Sequence, residues 1–422
     1  MTILQEARFK VVCGDVIKDG KSILDGWTII EKGGVKVGFV GLETPETYTK
    51  VNPALIQGIS FPQKEALYQC AQGLVDEVKA AGADVVVGLF HLGVDDESVG
   101  NRSTDVYANV EGLDFVLDAH SHTVMTPGDG GAFSDLPIQS TGTKFANVGV
   151  VVIDPESKEI CDHYLVNFPE NSDVLTEAEA IEKAVDAQYG AVFAKSLVEL
   201  NGDKAPGNRN METNLGDLIC DAMLWSVLRG GEVKTADGTV IPAENVVAVT
   251  NGGGIRAWIH KGDVTMNDIH TVLPFGNTVT LVYVTGAELL EALEASCFNA
   301  PGAVGGFPQV AGMDYTIAAY KDFDQGEQYP NSTYYGPKSI QRVTIDDVNG
   351  KPFDKDAVYA VVTNNFCSAG GDTYNVFARN SSTFDTGITL DEAVMAYVSE
   401  VLNGKITAEA YGAPRGSLTQ IK

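Results

Sequence analysis

The stretch VKVGFVGL, residues 35–42, decides the fold class together with ADVVVGLFHLG at 83–93. A helix candidate covers residues 62–81 between them, and the apolar runs LDFVLDAHSHT at 113–123 and FANVGVVVID at 145–154 follow. Continuous runs of Val, Ile and Leu separated by helices are typical of a parallel or mixed sheet that is covered on both faces. The sequence therefore predicts a layered α/β fold.

The chain divides into three parts. Residues 1–155 form the layered α/β part, residues 156–205 a linker with a helix, and residues 206–422 a second, mixed α/β domain. In the linker, Thr176 followed by Glu179 has the pattern of a capping box, which predicts a helix that starts there. The residues that continue this helix at helical spacing are Ile181, Val185, Tyr189, Val192 and Phe193.

The charge of the chain excludes some partners. Its 422 residues include 57 Asp and Glu against 29 Lys and Arg, which gives a formal net charge of −28. Binding to nucleic acid or anionic lipid through bulk charge draws on clustered Lys and Arg, so neither partner is expected. A bound phosphate would have to be held by local donors.

The six cysteines are widely separated and form no C-x-x-C pair, so neither a disulfide framework nor a zinc knuckle is indicated. No apolar run approaches the roughly 18 residues of a membrane helix, so no membrane span is predicted. The N-terminal MTILQEARFK does not resemble a signal peptide.

Three of the six histidines follow predicted strands. His91 comes after VVVGLF, and His120 and His122 come after FVLDA. Ligands bind at the carboxyl edge of open α/β sheets, and neutral imidazole is a common metal ligand. A histidine at such a place can instead cap a loop by hydrogen bonding. Three together, including an H-x-H pair, favour a metal site.

Two glycine-rich loops follow strands in the second domain. In NGGGIR, residues 251–256, successive backbone amides could turn toward one anion, and Arg256 could bind a phosphate or carboxylate in bidentate fashion. An ordinary tight turn is the alternative. In NNFCSAGGDTY, residues 364–374, Phe366 is either a core residue or an aromatic that stacks on a base.

These segments, in this order, resemble the 5′-nucleotidase family. Its members join a calcineurin-like metallophosphatase domain, a linking helix and a nucleotide-binding C-terminal domain. The resemblance covers essentially the whole sequence. It is most specific in NLGDLICDAM, NGGGIR, LPFGN and GGDTY.

The resemblance implies roles for individual residues. His91 and His120 would bind one divalent metal such as Zn or Mn, and His122 the second. The implied substrate-binding residues are Arg209, Asn251, Gly253, Arg256, Phe275, Phe366 and Asp372. Within this set the arginines and the asparagine hold the phosphate and nearby hydroxyls, the two phenylalanines sandwich the base, and the aspartate contacts the ribose.

The sequence also departs from the family. The D-x-H, G-D and G-N-H motifs that supply the other metal ligands are absent from their matching place, and the GD at Gly14 and Asp15 aligns downstream of it. We therefore expect a partial metallophosphatase domain, no catalytic residue assigned in this chain, and at most one weak metal site, at His91 and His120. A second polypeptide or a swapped protomer is expected to cover the missing part.

The function that the resemblance implies is hydrolysis of nucleoside 5′-monophosphates to nucleoside and phosphate, with the nucleotide held by the C-terminal domain. Catalysis by this chain alone is not expected. A 2′,3′-cyclic nucleotide phosphodiesterase or UDP-sugar hydrolase shares all these motifs, and a non-catalytic nucleotide-binding fragment is the alternative from another class. The family is usually exported, which implies a secreted or cell-surface location.

Overall fold

A computed structural model describes residue 4 and residues 6–169, 171–379 and 382–421. The chain divides into two compact units. The first comprises Met1–Tyr48, Ile56–Asn171 and Asn331–Thr333, and the second comprises Thr49–Leu55, Ser172–Pro330 and Tyr334–Lys422. The main division, between Asn171 and Ser172, falls within the segment 156–205 that the sequence predicts to be a linker.

The first unit contains eleven described strands. They are β1 (Ile17–Lys18), β2 (Lys21–Ser22), β3 (Trp27–Lys32), β4 (Val35–Glu43), β5 (Ile59–Ser60), β6 (Val85–His91), β7 (Phe115–Asp118), β8 (Val124–Met125), β9 (Ile138–Thr141), β10 (Val148–Ile153) and β11 (Ile160–Val166). The helices described up to residue 171 are α1 (Thr47–Lys50), α2 (Glu65–Ala80) and α3 (Ser103–Asn109), with 3₁₀ turns at Pro53–Leu55 and Asp96–Ser98.

A six-stranded sheet of order β3-β4-β6-β7-β9-β8 forms the centre of the first unit. Strands β4, β6, β7 and β9 are parallel, and the two edge strands are antiparallel to their neighbours. Helix α2 covers one face through Leu67, Ala71, Val75 and Val78. On the other face, strand residues such as Phe115 pack with the β10–β11 hairpin. The predicted layered α/β fold is confirmed.

The second unit has fourteen described strands. They are β12 (Val192–Ser196), β13 (Val246–Asn251), β14 (Gly262–Thr265), β15 (Thr278–Thr285), β16 (Pro308–Ala311), β17 (Met313–Ala318), β18 (Gln325–Gln328), β19 (Tyr335–Pro337), β20 (Val343–Val348), β21 (Lys351–Pro352), β22 (Val358–Asn364), β23 (Thr383–Thr389), β24 (Lys405–Ile406) and β25 (Leu418–Ile421). Its described α-helices beyond residue 171 are α4 (Ser172–Tyr189), α5 (Asn214–Leu228), α6 (Met266–Val272), α7 (Gly286–Ser296), α8 (Asn365–Ser368), α9 (Asn375–Ala378), α10 (Leu390–Glu400) and α11 (Ala408–Tyr411).

The main sheet of the second unit has the order β16-β13-β22-β15-β23. All six residues of β13 are buried, because its side chains point alternately to the two faces of the sheet and each face is covered by a hydrophobic core. Val246 and Ala248 pack with helices α5 and α10, whereas Val247 and Val249 pack on the opposite face with helix α7. Strand β13 is parallel to β22 and antiparallel to β16, so its carboxyl end, at Asn251, lies beside the start of β16.

Two expectations for the linker are wrong. Helix α4 begins at Ser172, four residues before the predicted cap, and the Thr176 hydroxyl donates to the carbonyl of Ser172 inside the helix. Val192 and Phe193, which continue the helical spacing, belong to strand β12. The competing signal is β-sheet pairing with β14, which the local periodicity does not contain.

Candidate functional site

The second unit gathers its polar residues at the carboxyl end of β13. Asn251 is the last residue of this strand and is 4% exposed. Its side-chain amide donates to Asp372 Oδ2 at 2.7 Å, and its Oδ1 accepts from Asn364 Nδ2 at 3.0 Å. Asn364 ends the neighbouring strand β22, so two parallel strands place their terminal asparagines side by side.

Asp372 lies in the second glycine loop and is 2% exposed. Its φ of 48° is a left-handed conformation that non-glycine residues adopt at a cost, and such positions are frequent at functional sites. Besides Asn251, the carboxylate faces Lys50 Nζ at 3.4 Å, and this ammonium also bonds the Tyr334 hydroxyl at 2.7 Å. Lys50 belongs to Thr49–Leu55, a segment of this unit that sequence reasoning missed.

The first glycine loop does not direct its amides as predicted. The amides of Gly252 and Gly253 donate to the carbonyls of Phe307 and Gly305, both at 2.8 Å, so these two groups are used within the fold. Close packing requires glycine at position 252 instead, because a Cβ there would lie 1.8 Å from the Asn208 carbonyl oxygen. Gly253 has a different role: its carbonyl accepts from Arg256 Nη1 at 3.2 Å.

Arg209 and Arg256 both lie at this loop: a Cβ on Gly252 would be 3.3 Å from the Arg209 amide nitrogen, and Arg256 ends the NGGGIR segment. Partial burial of the Arg256 guanidinium and, secondarily, the positive charge of Arg209 lower the pKa of Arg256. In the part of the chain that the structure describes, neither guanidinium has a carboxylate in salt-bridge contact. Two neighbouring cations without an acidic partner repel each other, and an anion bound between them would relieve that repulsion.

The two predicted aromatic residues differ in exposure. Phe275 is 59% exposed, and the Arg256 guanidinium carbon lies 5.8 Å from its ring centroid. Phe366 is half-buried at the start of α8, packs on the core and leaves no room for a side chain at Gly371. An exposed aromatic ring beside a cation provides a surface for a planar ligand.

In the first unit, the structure brings two of the predicted histidines together. His91 ends β6 and His120 follows β7, with ring centroids 5.1 Å apart. His120 and His122 both have positive φ angles, 77° and 58°, and His122 is exposed. The strand-end logic therefore places His91 and His120 as neighbours at one sheet edge.

Glu46 is a residue of this edge that sequence reasoning missed. It is 2% exposed, its Oε2 lies 3.0 Å from His120 Nε2, and its Oε1 accepts from the Ser98 hydroxyl. The same strand-end argument could have found it, because Glu46 follows β4 as the histidines follow β6 and β7.

Asp118 supports the loops at this edge. Its carboxylate accepts from the amides of Leu92 and Gly93 at 3.2 Å and from the Ser103 hydroxyl at 2.8 Å. Burial raises the pKa of Asp118, and these hydrogen bonds oppose that effect. The hydrogen bonds of the Asp118 carboxylate therefore fix the backbone of the segment that follows His91.

A two-metal centre does not fit the residues that are described. Two imidazoles are adjacent, but Glu46 already occupies the Nε2 side of His120. Over the described ranges, no cluster of three or more His, Cys, Asp or Glu side chains is arranged to hold a metal ion. Two closely spaced dications also need a bridging carboxylate to neutralise their repulsion, and the described residues form no cluster that would supply it.

No helix within the described residues is both long and apolar enough to cross a membrane.

The fold and the site define a class: a two-unit α/β protein whose second unit presents paired arginines, an exposed aromatic and a buried Asn–Asp pair at a strand end. The comparisons with known proteins agree with that class. Residues 192–379 match the family model described as the 5′-nucleotidase C-terminal domain. The resemblance to 5′-nucleotidases that the sequence motifs predict is therefore confirmed for this region of the chain.

Individual relatives resemble most of this chain. The trifunctional nucleotide phosphoesterase protein YfkN of Bacillus subtilis is 29% identical over 410 residues, which are 92% of this chain and 25% of that protein. The 5′-nucleotidase of Diplobatis ommata is 26% identical over 406 residues, 89% of this chain and 65% of that enzyme. The chain thus spans between a quarter and just under two thirds of the length of these relatives.

A solved structure also resembles the whole chain. The 5′-nucleotidase precursor from Thermus thermophilus is 27% identical, with a TM-score of 0.75 that covers 100% of this chain and 80% of that one. The mixed α/β architecture of both units is therefore that of 5′-nucleotidases.

Proposed function

We propose that this chain is a 5′-nucleotidase-type phosphoesterase component whose second unit binds a nucleoside 5′-monophosphate. The observation that carries the proposal is the shared position of Arg209 and Arg256 at the NGGGIR loop, where the exposed ring of Phe275 lies beside Arg256. One ligand that satisfies both features has an anionic phosphate and a planar base, which is the composition of a nucleotide.

We propose that other residues of the predicted set contact the same ligand. Asp372 is held by Asn251 and offers carboxylate lone pairs to ribose hydroxyls. We propose that Phe275 and Phe366 take the base between them, as the family resemblance implies. Asn251 then links the phosphate side of the site to the ribose side through its bond to Asp372.

Hydrolysis needs more than recognition. Members of the family are metallophosphoesterases that generally depend on divalent metals, and such metals supply an activated hydroxide and polarise the phosphate. Because the donors of the first unit do not fit a two-metal centre, we assign no reaction step to them. The proposed role of this chain is to bind, orient and neutralise the nucleotide, with at most one weak metal site at His91 and His120.

We propose that a second polypeptide supplies the D-x-H, G-D and G-N-H motifs. The comparisons give no support to a swapped protomer. A second candidate is a 2′,3′-cyclic nucleotide phosphodiesterase or a UDP-sugar hydrolase, which shares the same motifs; the Bacillus relative is named a trifunctional nucleotide phosphoesterase, which is not restricted to one phosphate ester. Nothing in stacking between two phenyl rings selects one base or one phosphate ester.

The decisive experiment compares AMP with adenosine by titration calorimetry on the full chain. AMP should bind more tightly, and Arg256→Ala should reduce AMP affinity about ten- to one-hundred-fold, since hydrogen bonds to charged groups contribute about 1.5–3 kcal/mol. Adenosine affinity should change little. The matched control is Arg229→Ala, which removes an exposed arginine paired with Glu400 on the same unit. Equal losses for AMP and adenosine would refute the assignment of Arg256.

An extracellular location is also a proposal. It is supported by two further relatives, a cell wall protein of Listeria monocytogenes and a snake venom 5′-nucleotidase of Crotalus adamanteus, which are 26% and 24% identical to this chain.

A further inference from the structure

The segment that carries Arg209 brings a second positive charge to the loop of Arg256. The backbone of Arg209 lies beside the loop that carries Arg256, since a Cβ on Gly252 would be 3.3 Å from the Arg209 amide nitrogen. Burial, and next the charge of Arg209, lower the pKa of Arg256. Before an anion binds, like charges push the two side chains apart, and Arg209 lies between helices and strands rather than on one. A loop under such repulsion needs anchors in its backbone if both cations are to face the same ligand.

Gln309 supplies those anchors. It lies on β16, opposite Thr250 of β13, and is 1% exposed. Its Nε2 donates to the carbonyls of Asn208 at 3.0 Å and Met211 at 2.8 Å, so its two donors bracket Arg209 on both sides. Its Oε1 accepts from the amide of Thr213 at 3.1 Å.

The chain keeps space for this side chain. A Cβ at Gly216 would lie 2.0 Å from Gln309 Oε1 and 2.6 Å from its Cδ, so only glycine permits the amide to reach the loop. The carbonyl of Arg209 itself accepts from the amide of Val304 at 2.9 Å. The amide of Arg209 donates in turn to the carbonyl of Lys204 at 3.0 Å. The backbone around Arg209 is therefore held by the buried side-chain amide of Gln309 together with hydrogen bonds of its own carbonyl and amide.

The same residue connects the two halves of the anion site. Strand β16 pairs with the end of β13, in the register Thr250↔Gln309 and Asn251↔Pro308. Arg256 follows β13 by five residues, through the loop whose Gly253 carbonyl holds its guanidinium. Gln309 thus ties the loop of Arg209 to strand β13, and the loop after β13 carries Arg256.

We propose that Gln309 is a positioning residue for phosphate recognition: it contacts no ligand, and it sets Arg209 opposite Arg256. This inference rests on the proposed function, because it takes the two arginines to bind the phosphate of a nucleotide. Its signature is selective: loss of Gln309 weakens binding of AMP but not of adenosine, which has no phosphate.

The test uses the full chain and titration calorimetry with AMP and adenosine. Gln309→Met keeps the length of the side chain and removes both donors and the acceptor. We expect AMP affinity to fall at least ten-fold and adenosine affinity less than three-fold. If Gln309→Met does not fold, Gln309→Asn keeps a buried amide but withdraws it by one methylene from the loop, and the same selective loss is expected.

The control is Asn349→Ala. Asn349 also donates through its side-chain amide to two backbone carbonyls, those of Glu244 and Val246, at the opposite end of β13. Its loss should lower the stability of the unit without changing the ratio of AMP to adenosine affinity. A change of that ratio as large as the one caused by Gln309→Met would overturn the proposal.

A double-mutant cycle provides the second criterion. In an Arg209→Ala background, Gln309→Met should cause no further selective loss of AMP, because the residue acts through Arg209. A full ten-fold additional loss, or equal losses of AMP and adenosine in the single variant, would overturn the positioning role. If the unaltered chain does not prefer AMP to adenosine, the proposed function fails instead, and the two failures are distinguishable.

Discussion

Gly216→Ala provides a sharp test of how closely the fold is packed around the Arg209 loop. Gly216 lies in the first turn of α5, where its amide donates to the Thr213 hydroxyl that caps the helix. Replacement of glycine by alanine in a helix usually stabilises it, by up to about 1 kcal/mol. At this position the new methyl group would instead be 2.0 Å from Gln309 Oε1.

The sizes of the opposing free-energy terms decide whether Gly216→Ala stabilises or destabilises the unit. Overpacking in a close-packed core costs about 1–3 kcal/mol. If Gln309 moves aside, three hydrogen bonds to the loop are lost as well, each contributing about 1 kcal/mol. These costs exceed the gain in helix propensity, so we expect Gly216→Ala to lower the free energy of unfolding by about 2–4 kcal/mol.

The assay is urea unfolding followed by circular dichroism, with Gly73→Ala as the matched control. Gly73 is exposed on helix α2, and a Cβ there would meet nothing within 4 Å. The control should be unchanged or stabilised by about 0.5–1 kcal/mol. If Gly216→Ala is as stable as the control, the contact with Gln309 is not tight and the packing argument is refuted.

Three further outcomes are expected. Phe366→Ala should weaken both AMP and adenosine by about 1–3 kcal/mol in calorimetry, because it removes one face of the base site, and unchanged affinities would exclude Phe366 from that site. Burial, and next the charge of Glu212, raise the pKa of Asp217 to about 7 from 3.8, so the folded state retains a proton that the unfolded chain has lost. The stability that this proton contributes is present below about pH 4 and is lost as the pH rises to about 7. Urea titrations at several pH values should show that Asp217→Asn flattens this part of the plot of unfolding free energy against pH. An unchanged slope of that plot would contradict the raised pKa of Asp217. Metal analysis of the purified chain should find fewer than two equivalents of divalent metal, and His91→Ala should lower what is bound; two tightly held equivalents would show that the first unit forms a complete centre.

The sequence predicts the parallel sheet of the first unit well for a physical reason. The run at 35–42 is apolar on both faces, and only a strand covered on both sides tolerates that pattern. The start of the linker helix is predicted poorly because the capping pattern of Thr176 and Glu179 lies inside a longer helix, which begins at Ser172. A local motif does not show whether the residues before it are also helical.

The site shows the same division. The sequence singles out Asn251 and Arg256 because their loop follows a strand, and the histidines because they lie at predicted strand ends. Gln309 and Lys50 escape the same reasoning because their partners, Asn208 and Asp372, are 101 and 322 residues away in the chain. The direction of the Gly253 amide also could not be predicted, because its acceptor Gly305 belongs to a remote loop.

The bond between Asn251 and Asp372 joins positions 121 residues apart, and that between Gln309 and Asn208 joins positions 101 residues apart. Contacts of such separation form late in folding, since the loop-closure entropy must be overcome before they contribute. The proposed nucleotide site therefore forms only when nearly the whole second unit has folded. A ligand that binds there should act as a sensor of complete folding: it raises the melting temperature of the intact unit and leaves partly folded chains unprotected against proteases.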